Sequence, residues 1–217
     1  SVMNRLVRLA AMRSCGWVIT LACGVLPNVA AQQSVKIGQT VFQVAEGWAL
    51  EQVASEPLVR YPIHADLAPD GRLFVIESSG SSAPVKEQLV ERPHRLITLR
   101  DTDGDGRYDK RVVFAEGLML PQGVLWTEEG VLVATPPEIW RFSDTDGDGV
   151  ADDRSVWFDG KTVTGCANDL HGPFLGMDGA VHWCKGAFAE QSYNREDGSI
   201  WSTRASHVLR KHPRSGV

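Results

Sequence analysis

The sequence contains no run of the ~20 apolar residues that a membrane-spanning helix needs. The nearest approach, Cys15–Leu26, is a dozen residues long. Cysteine is scarce, four in 217 residues, and none falls in a CxxC pair or a CxxCH haem-attachment motif. HExxH, GxSxG, a Walker loop and a dinucleotide fingerprint are all missing, which leaves the common peptidase, hydrolase and nucleotide-binding classes without support. Acids are absent from Met3 to Ala31, where Arg5, Arg8 and Arg13 precede the apolar stretch and Val29-Ala30-Ala31 follows it. That pattern is the n-region, h-region and small-residue cleavage site of a secretory signal. We therefore expect residues 1–31 to be a signal peptide, residues 32–217 the mature part, and the location to be periplasmic, cell-surface or secreted. Leu21-Ala22-Cys23 sketches a lipid-attachment site on Cys23, against which Thr20 stands.

Removing residues 1–31 takes away three basic residues and no acid, so the net charge moves from −5 to −8. The one remaining basic cluster, Arg204–Arg214, lies at the extreme end, and nucleic acid is not an expected partner. The mature part retains Cys166 and Cys184. In an oxidising compartment these two either form a disulfide or remain separate buried thiols, and the sequence favours neither.

DTDGDG occurs twice, at Asp101–Gly106 and Asp144–Gly149, 43 residues apart. Around the second copy lie four short apolar or alternating runs, Gln122–Thr127, Val131–Ala134, Glu138–Ser143 and Arg154–Phe158, with turn residues between them. Upstream, Ile63–Pro69, Arg72–Ile76, Arg95–Arg100 and Arg111–Ala115 repeat the scheme. Downstream, Phe174–Met177, Ala180–Cys184 and Ser206–Lys211 give three strands of another unit, and Glu51–Ala54 reads as a lone strand that would close a ring. Four strands in about 43 residues is the signature of a β-propeller blade. The expected fold is therefore all-β: about three blades, the N-terminal part of a longer chain whose full propeller would be six-bladed.

In each copy of the turn the carboxylates alternate: Asp101, Asp103, Asp105 and then Asp109; Asp144, Asp146, Asp148 and then Asp152. Alternate spacing lets one loop wrap oxygen ligands around Ca²⁺. An EF-hand is excluded, since its bidentate Glu position holds Val112 in one copy and Ser155 in the other. The expectation is two short calcium loops of modest affinity. The alternative is an ion-free hairpin in which the aspartates cap local N–H groups. Strand order puts both turns on one face of the disc, and the inter-blade loop Asp159–Pro173 on the other. That loop carries Asn168, Asp169 and His171 to the start of an innermost strand. His171 has the chemistry for proton abstraction near neutrality, or it ties down the loop. Two further long loops, Ser78–Pro93 and Lys185–Thr203, face the same side, the second bringing Phe188, Tyr193 and Trp201. His64, His94, His182, His207 and His212 are scattered and read as structural or surface residues.

NDLHGPFLGMDGAVHWCKG, residues 168–186, resembles the N-x-x-H…G-x-D-G segment of soluble quinoprotein glucose and sorbosone dehydrogenases. LVRYPIHADLAPDGRLFVIE, ITLRDTDGDGRYDKRVVFAEGL and DTDGDGVADDRSVWF resemble the membrane-bound dehydrogenase proteins of planctomycete-type bacteria, the similarity running from Trp48 to Gly216. The resemblance implies an exported sugar or alcohol dehydrogenase using pyrroloquinoline quinone (PQQ), with His171 as base. Electrons would pass to a haem domain beyond this chain. Only His171 carries over by motif; the family's cofactor-binding Arg and Lys positions lie mostly outside the matched stretch. The competing expectation is a non-catalytic, calcium-braced propeller that binds glycans or protein partners.

Overall fold

In the computed structural model, residues 6–11, 32–164, 169–195 and 197–212 are described. The chain is all-β apart from one short helix, and its strands form antiparallel sheets. β1 (Leu6–Ala11) pairs with β4 (Trp48–Ala54), while β2 (Gln32–Ile37) and β3 (Thr40–Ala45) form a hairpin. β1 lies inside the segment read as a leader. β4, read as a lone strand, thus finds the main-chain partner that any strand requires in β1, and its Val53 carbonyl accepts the Tyr108 N–H of the β7–β8 connection at 2.8 Å.

Sheet I contains β5 (Pro62–Leu67), β6 (Leu73–Glu77), β7 (His94–Arg100) and β8 (Lys110–Leu118) in sequential order. Helix α1 (Val85–Glu91) interrupts it between β6 and β7, starting at Pro84 and stopping where Arg92 turns left-handed ahead of Pro93. Sheet II follows the same order with β9 (Gly123–Thr127), β10 (Gly130–Thr135), β11 (Glu138–Ser143) and β12 (Asp153–Asp159). Sheet III has β13 (Leu170–Leu175), β14 (Val181–Lys185) and β17 (His207–Lys211). The hairpin of β15 (Gln191–Asn194) and β16 (Ile200–Thr203) is inserted between β14 and β17. All eleven strands expected for three units are present in the expected order; β1, the β2–β3 hairpin, α1 and the β15–β16 hairpin are additions.

The three sheets stack face to face because their middle strands are apolar on both sides. Along β10, Val131 and Val133 face sheet I, packing with Phe74, Leu96 and Phe114, while Leu132 and Ala134 face sheet III with Val181 and Trp183. Phe74 and Phe114 meet edge to face at 5.2 Å, as do Trp157 and Trp183 at 5.5 Å. Such T-shaped pairs add specificity to burial. The far side of sheet I is covered by Ala54 and Val59, against Val75, Ile97 and Leu99.

The first strands of the sheets lie side by side. The Val124 N–H donates to His64 Nδ1 at 3.3 Å, and the Trp126 N–H donates to Asp66 Oδ2 at 2.6 Å. Two residues on β5 thus match two on β9 in the same direction, so the strands run parallel. β9 in turn approaches β13 so closely that a Cβ on Gly123 would sit 2.1 Å from the Gly172 carbonyl oxygen. Parallel first strands put both DTDGDG turns at one end, with the β5–β6 and β9–β10 hairpins. The connections between sheets, with α1, lie at the opposite end.

His94, at the start of β7, holds that opposite end together. Its Nδ1 accepts the Ser79 N–H at 3.0 Å and its Nε2 lies 2.7 Å from Gln88 Oε1 on α1, so Nε2 is the donor and the ring is neutral. Burial lowers its pKa below the ordinary 6.5. His64 is also lowered, by burial first, with Asp66 opposing. A base whose folded pKa is depressed takes up protons more readily when unfolded, so its contribution is full above pH 6.5 and shrinks as the pH falls below it. Melting temperature is therefore expected to drop between pH 7 and pH 5 in the wild type, and to drop less in His94→Gln. An equal slope in the two proteins would show that the Ser79–His94–Gln88 chain carries no pH dependence.

Candidate functional site

Both aspartate turns are built alike. Asp101 accepts the Gly104 N–H at 2.7 Å on Oδ1 and the Gly106 N–H at 2.8 Å on Oδ2; Asp144 accepts those of Gly147 and Gly149 at 2.7 and 3.0 Å. Asp103 and Asp105 cap the N–H groups of Asp105 and Arg107, as Asp146 and Asp148 cap those of Asp148 and Val150. Asp109 and Asp152 accept both the N–H and the hydroxyl of Thr102 and Thr145. These bonds hold Asp101 and Asp152 below the usual carboxylate pKa, chiefly through the Gly106 N–H and the Thr145 hydroxyl respectively. The aspartates thus cap local N–H groups of the main chain. Even so, oxygens of Asp101, Asp103 and Asp109 lie within 4.8 Å of one another, as do those of Asp144, Asp146 and Asp152. Three carboxylates converge in each turn, not four: Asp105 and Asp148 stand outside the groups. The trio has the charge and oxygen chemistry of a hard-cation site.

His171 is the second residue of β13, at the end of sheet III away from the Asp178-Gly179 turn. Its register partner is Cys184, which in turn faces Val208; Phe174, His182 and Arg210 form the next row. Strand alternation turns Leu170, Val181, Trp183 and Lys185 toward sheet II and leaves His171, His182 and Cys184 on the opposite face. His171 is half-buried there, and no hydrogen bond holds its ring among the described residues. Cys184 is an exposed, free thiol. Cys166 and Asn168 lie outside the described residues, and with them the Cys166–Cys184 pairing.

Beneath His171, Asp169 is buried and accepts the Thr164 N–H at 2.5 Å and the Thr164 hydroxyl at 2.9 Å, closing the loop into β13. Lys185, also buried, donates to the carbonyls of Gly186 at 2.9 Å and Ala205 at 3.2 Å. Burial pushes its pKa down, and the charge on Asp169 pulls it partly back. Sequence reasoning passed over Lys185. Its signal was a lysine at an inward position of the alternating run VHWCK. Phe188, on the long loop, is exposed rather than folded over the site.

A family profile described as a domain of unknown function, DUF7133, matches residues 34–216. The chain belongs to the DUF7133 family. No curated protein matches it. The DUF7133 match takes in all three stacked sheets, both aspartate turns and His171. No helix among the described residues of this DUF7133 chain is long and apolar enough to cross a membrane.

Proposed function

We propose that this DUF7133 chain contributes successive blades to a β-propeller in an exported sugar- or alcohol-oxidising protein, with His171 as the base. The observation that carries the reading is the stacking of three meander sheets with their first strands abreast, β5 beside β9 and β9 beside β13. Radial blades share that arrangement. In such a propeller β13 would be an innermost strand, and His171 lies on it at the end opposite the aspartate turns. In that role His171 takes the proton of a substrate hydroxyl as the carbon it bears gives up hydride. A bound quinone such as PQQ would supply the two-electron acceptor. The residues beside His171 do not make a site for that polyanion: Arg210 and His182 both lie against Asp178, at 3.0 and 3.9 Å. No step is therefore assigned to the quinone here, and its site and any haem acceptor belong to other parts of the whole protein. Location outside the cytoplasm, after loss of residues 1–31, completes this reading.

The Asp101–Asp103–Asp109 and Asp144–Asp146–Asp152 trios bind Ca²⁺ in the proposal and stiffen the opposite rim. The test is dye reduction by the complete gene product across a sugar panel, with PQQ and Ca²⁺ present. His171→Ala is expected to lower the rate at least 100-fold, the usual scale of a lost general base. In the same samples, each turn filled with Ca²⁺ at ten times its Kd raises the melting temperature by about 3–6 °C over chelator. Dye reduction unchanged in His171→Ala removes the catalytic role, and a melting point indifferent to chelator removes the calcium.

A second reading, a non-catalytic propeller that binds glycans or protein partners, is favoured by one observation. His171 has no described partner to orient its ring, as a base in such a pair would. Under that reading the sugar panel yields binding and no dye reduction.

A further inference from the structure

Across the aromatic side of the seam between sheets II and III, their last strands, β12 and β17, are bridged by the β15–β16 hairpin. The Tyr193 hydroxyl anchors the hairpin there, its one proton lying within reach of Gln191 Oε1 at 3.0 Å and the Asp159 carbonyl at 3.2 Å. Between them lies a cavity of about 380 Å³, within the range of small-molecule sites. Its floor is a run of aromatic rings. Phe158 is 4.5 Å from Trp183 and 5.7 Å from Tyr193, and Tyr193 is stacked on Trp201 at 6.0 Å and 21°.

The polar groups around these rings narrow what fits. Trp183 is 2% exposed, and its indole N–H is buried without a hydrogen-bond partner among the described residues. Lys211 sits 5.0 Å above the Trp157 ring and donates to the Trp157 carbonyl at 3.2 Å, leaving further ammonium donors. At the rim, Lys161 is paired with Asp159 at 2.6 Å, and Arg210 with Asp178 at 3.0 Å. A cationic ligand would meet three basic side chains with one lining carboxylate to balance them. A purely apolar ligand would seal the free Lys211 ammonium donors from water and leave the Trp183 N–H as unsatisfied as before, which is costly. A pyranose ring meets both demands, laying C–H faces on the aromatic rings and turning hydroxyls toward the donors and Asp159.

We propose that this groove binds a pyranose sugar residue, and binds a uronic acid more tightly than its neutral counterpart because Lys211 is not neutralised by an adjacent carboxylate. The site is separate from His171 and stands whether or not His171 is a base. The test follows the indole N–H resonances of the whole chain during titration with methyl glucoside, methyl galactoside, methyl mannoside and methyl glucuronoside. Saturable movement of the Trp183 resonance is expected, with the glucuronoside binding most tightly. Trp201→Ala should weaken binding about tenfold, the scale of one lost aromatic contact, and Trp201→Phe should restore most of it. Lys211→Met should abolish the preference for the glucuronoside. The inference is overturned if no glycoside moves the Trp183 resonance saturably, if indole alone does so, or if folded Trp201→Ala binds as the wild type does.

Discussion

Glu77→Ala is expected to lower the unfolding free energy by about 3 kcal/mol, the lower part of the range for breaking a buried ion pair. The carboxylate is 3% exposed at the end of β6. It accepts the Arg60 N–H at 2.7 Å and the Arg111 guanidinium at 2.7 Å, with Arg95 at 3.5 Å. Alanine leaves the Arg60 N–H and a largely buried Arg111 without an acceptor. Arg95 is 40% exposed and turns to water at little cost, which is why the low end of the range applies. Urea unfolding measures the loss, and Glu77→Gln, which keeps the shape and an acceptor oxygen, should lose less. A change under about 1 kcal/mol would mean that the arginines find other partners. Glu77 joins the loop before β5, β6, β7 and β8, so its loss loosens the whole of sheet I.

The second large effect is expected at Gly123. Any side chain there puts Cβ against the Gly172 backbone, 2.1 Å from its oxygen and 2.6 Å from its carbonyl carbon. Backbone cannot rotate aside as a side chain does, so β9 and β13 must part, opening the seam between sheets II and III. Gly123→Val is expected to cost about 3 kcal/mol or more, at the top of the range for overpacking. That corresponds to a fall in melting temperature of about 6–12 °C for a chain of this size. The control is Gly104→Ala, where φ is +77° and nothing lies within 4 Å of the added carbon. It should cost only the left-handed backbone penalty, about 1–2 kcal/mol. Equal losses in the two variants would mean that the β9–β13 contact relaxes without strain.

The strands of the three sheets were legible because each is a short apolar run bounded by turn residues. β11 falls on Glu138–Ser143 as the alternation of EIWRFS gives it. α1 was not legible, since seven residues are too few to show a helical period. β15 and β16 were missed because QSYN and IWST are short and carry polar residues among their apolar ones, and the Tyr193 anchor that docks their hairpin lies 34 residues from its Asp159 acceptor. At the candidate site, chain order alone put His171 near the start of the first strand of sheet III. Its neighbours on the sheet face were beyond reach. The β13–β14 register slips between His171 and Phe174, and a one-residue slip moves every later side chain to the other face. Glu77 was hidden for a related reason: Arg111 lies 34 residues away, and only the pairing of β6, β7 and β8 brings them together.

The seam between sheets I and II has a lopsided consequence for inheritance. His64 and Asp66 grip the amides of Val124 and Trp126, groups that every residue but proline possesses. Drift at positions 124 and 126 therefore leaves both bonds intact so long as proline is avoided, whereas drift at 64 or 66 severs one. Among descendants of this gene the histidine and the aspartate are the letters these two bonds require, while the pair they hold answers instead to the core it packs in, Val124 being 1% exposed.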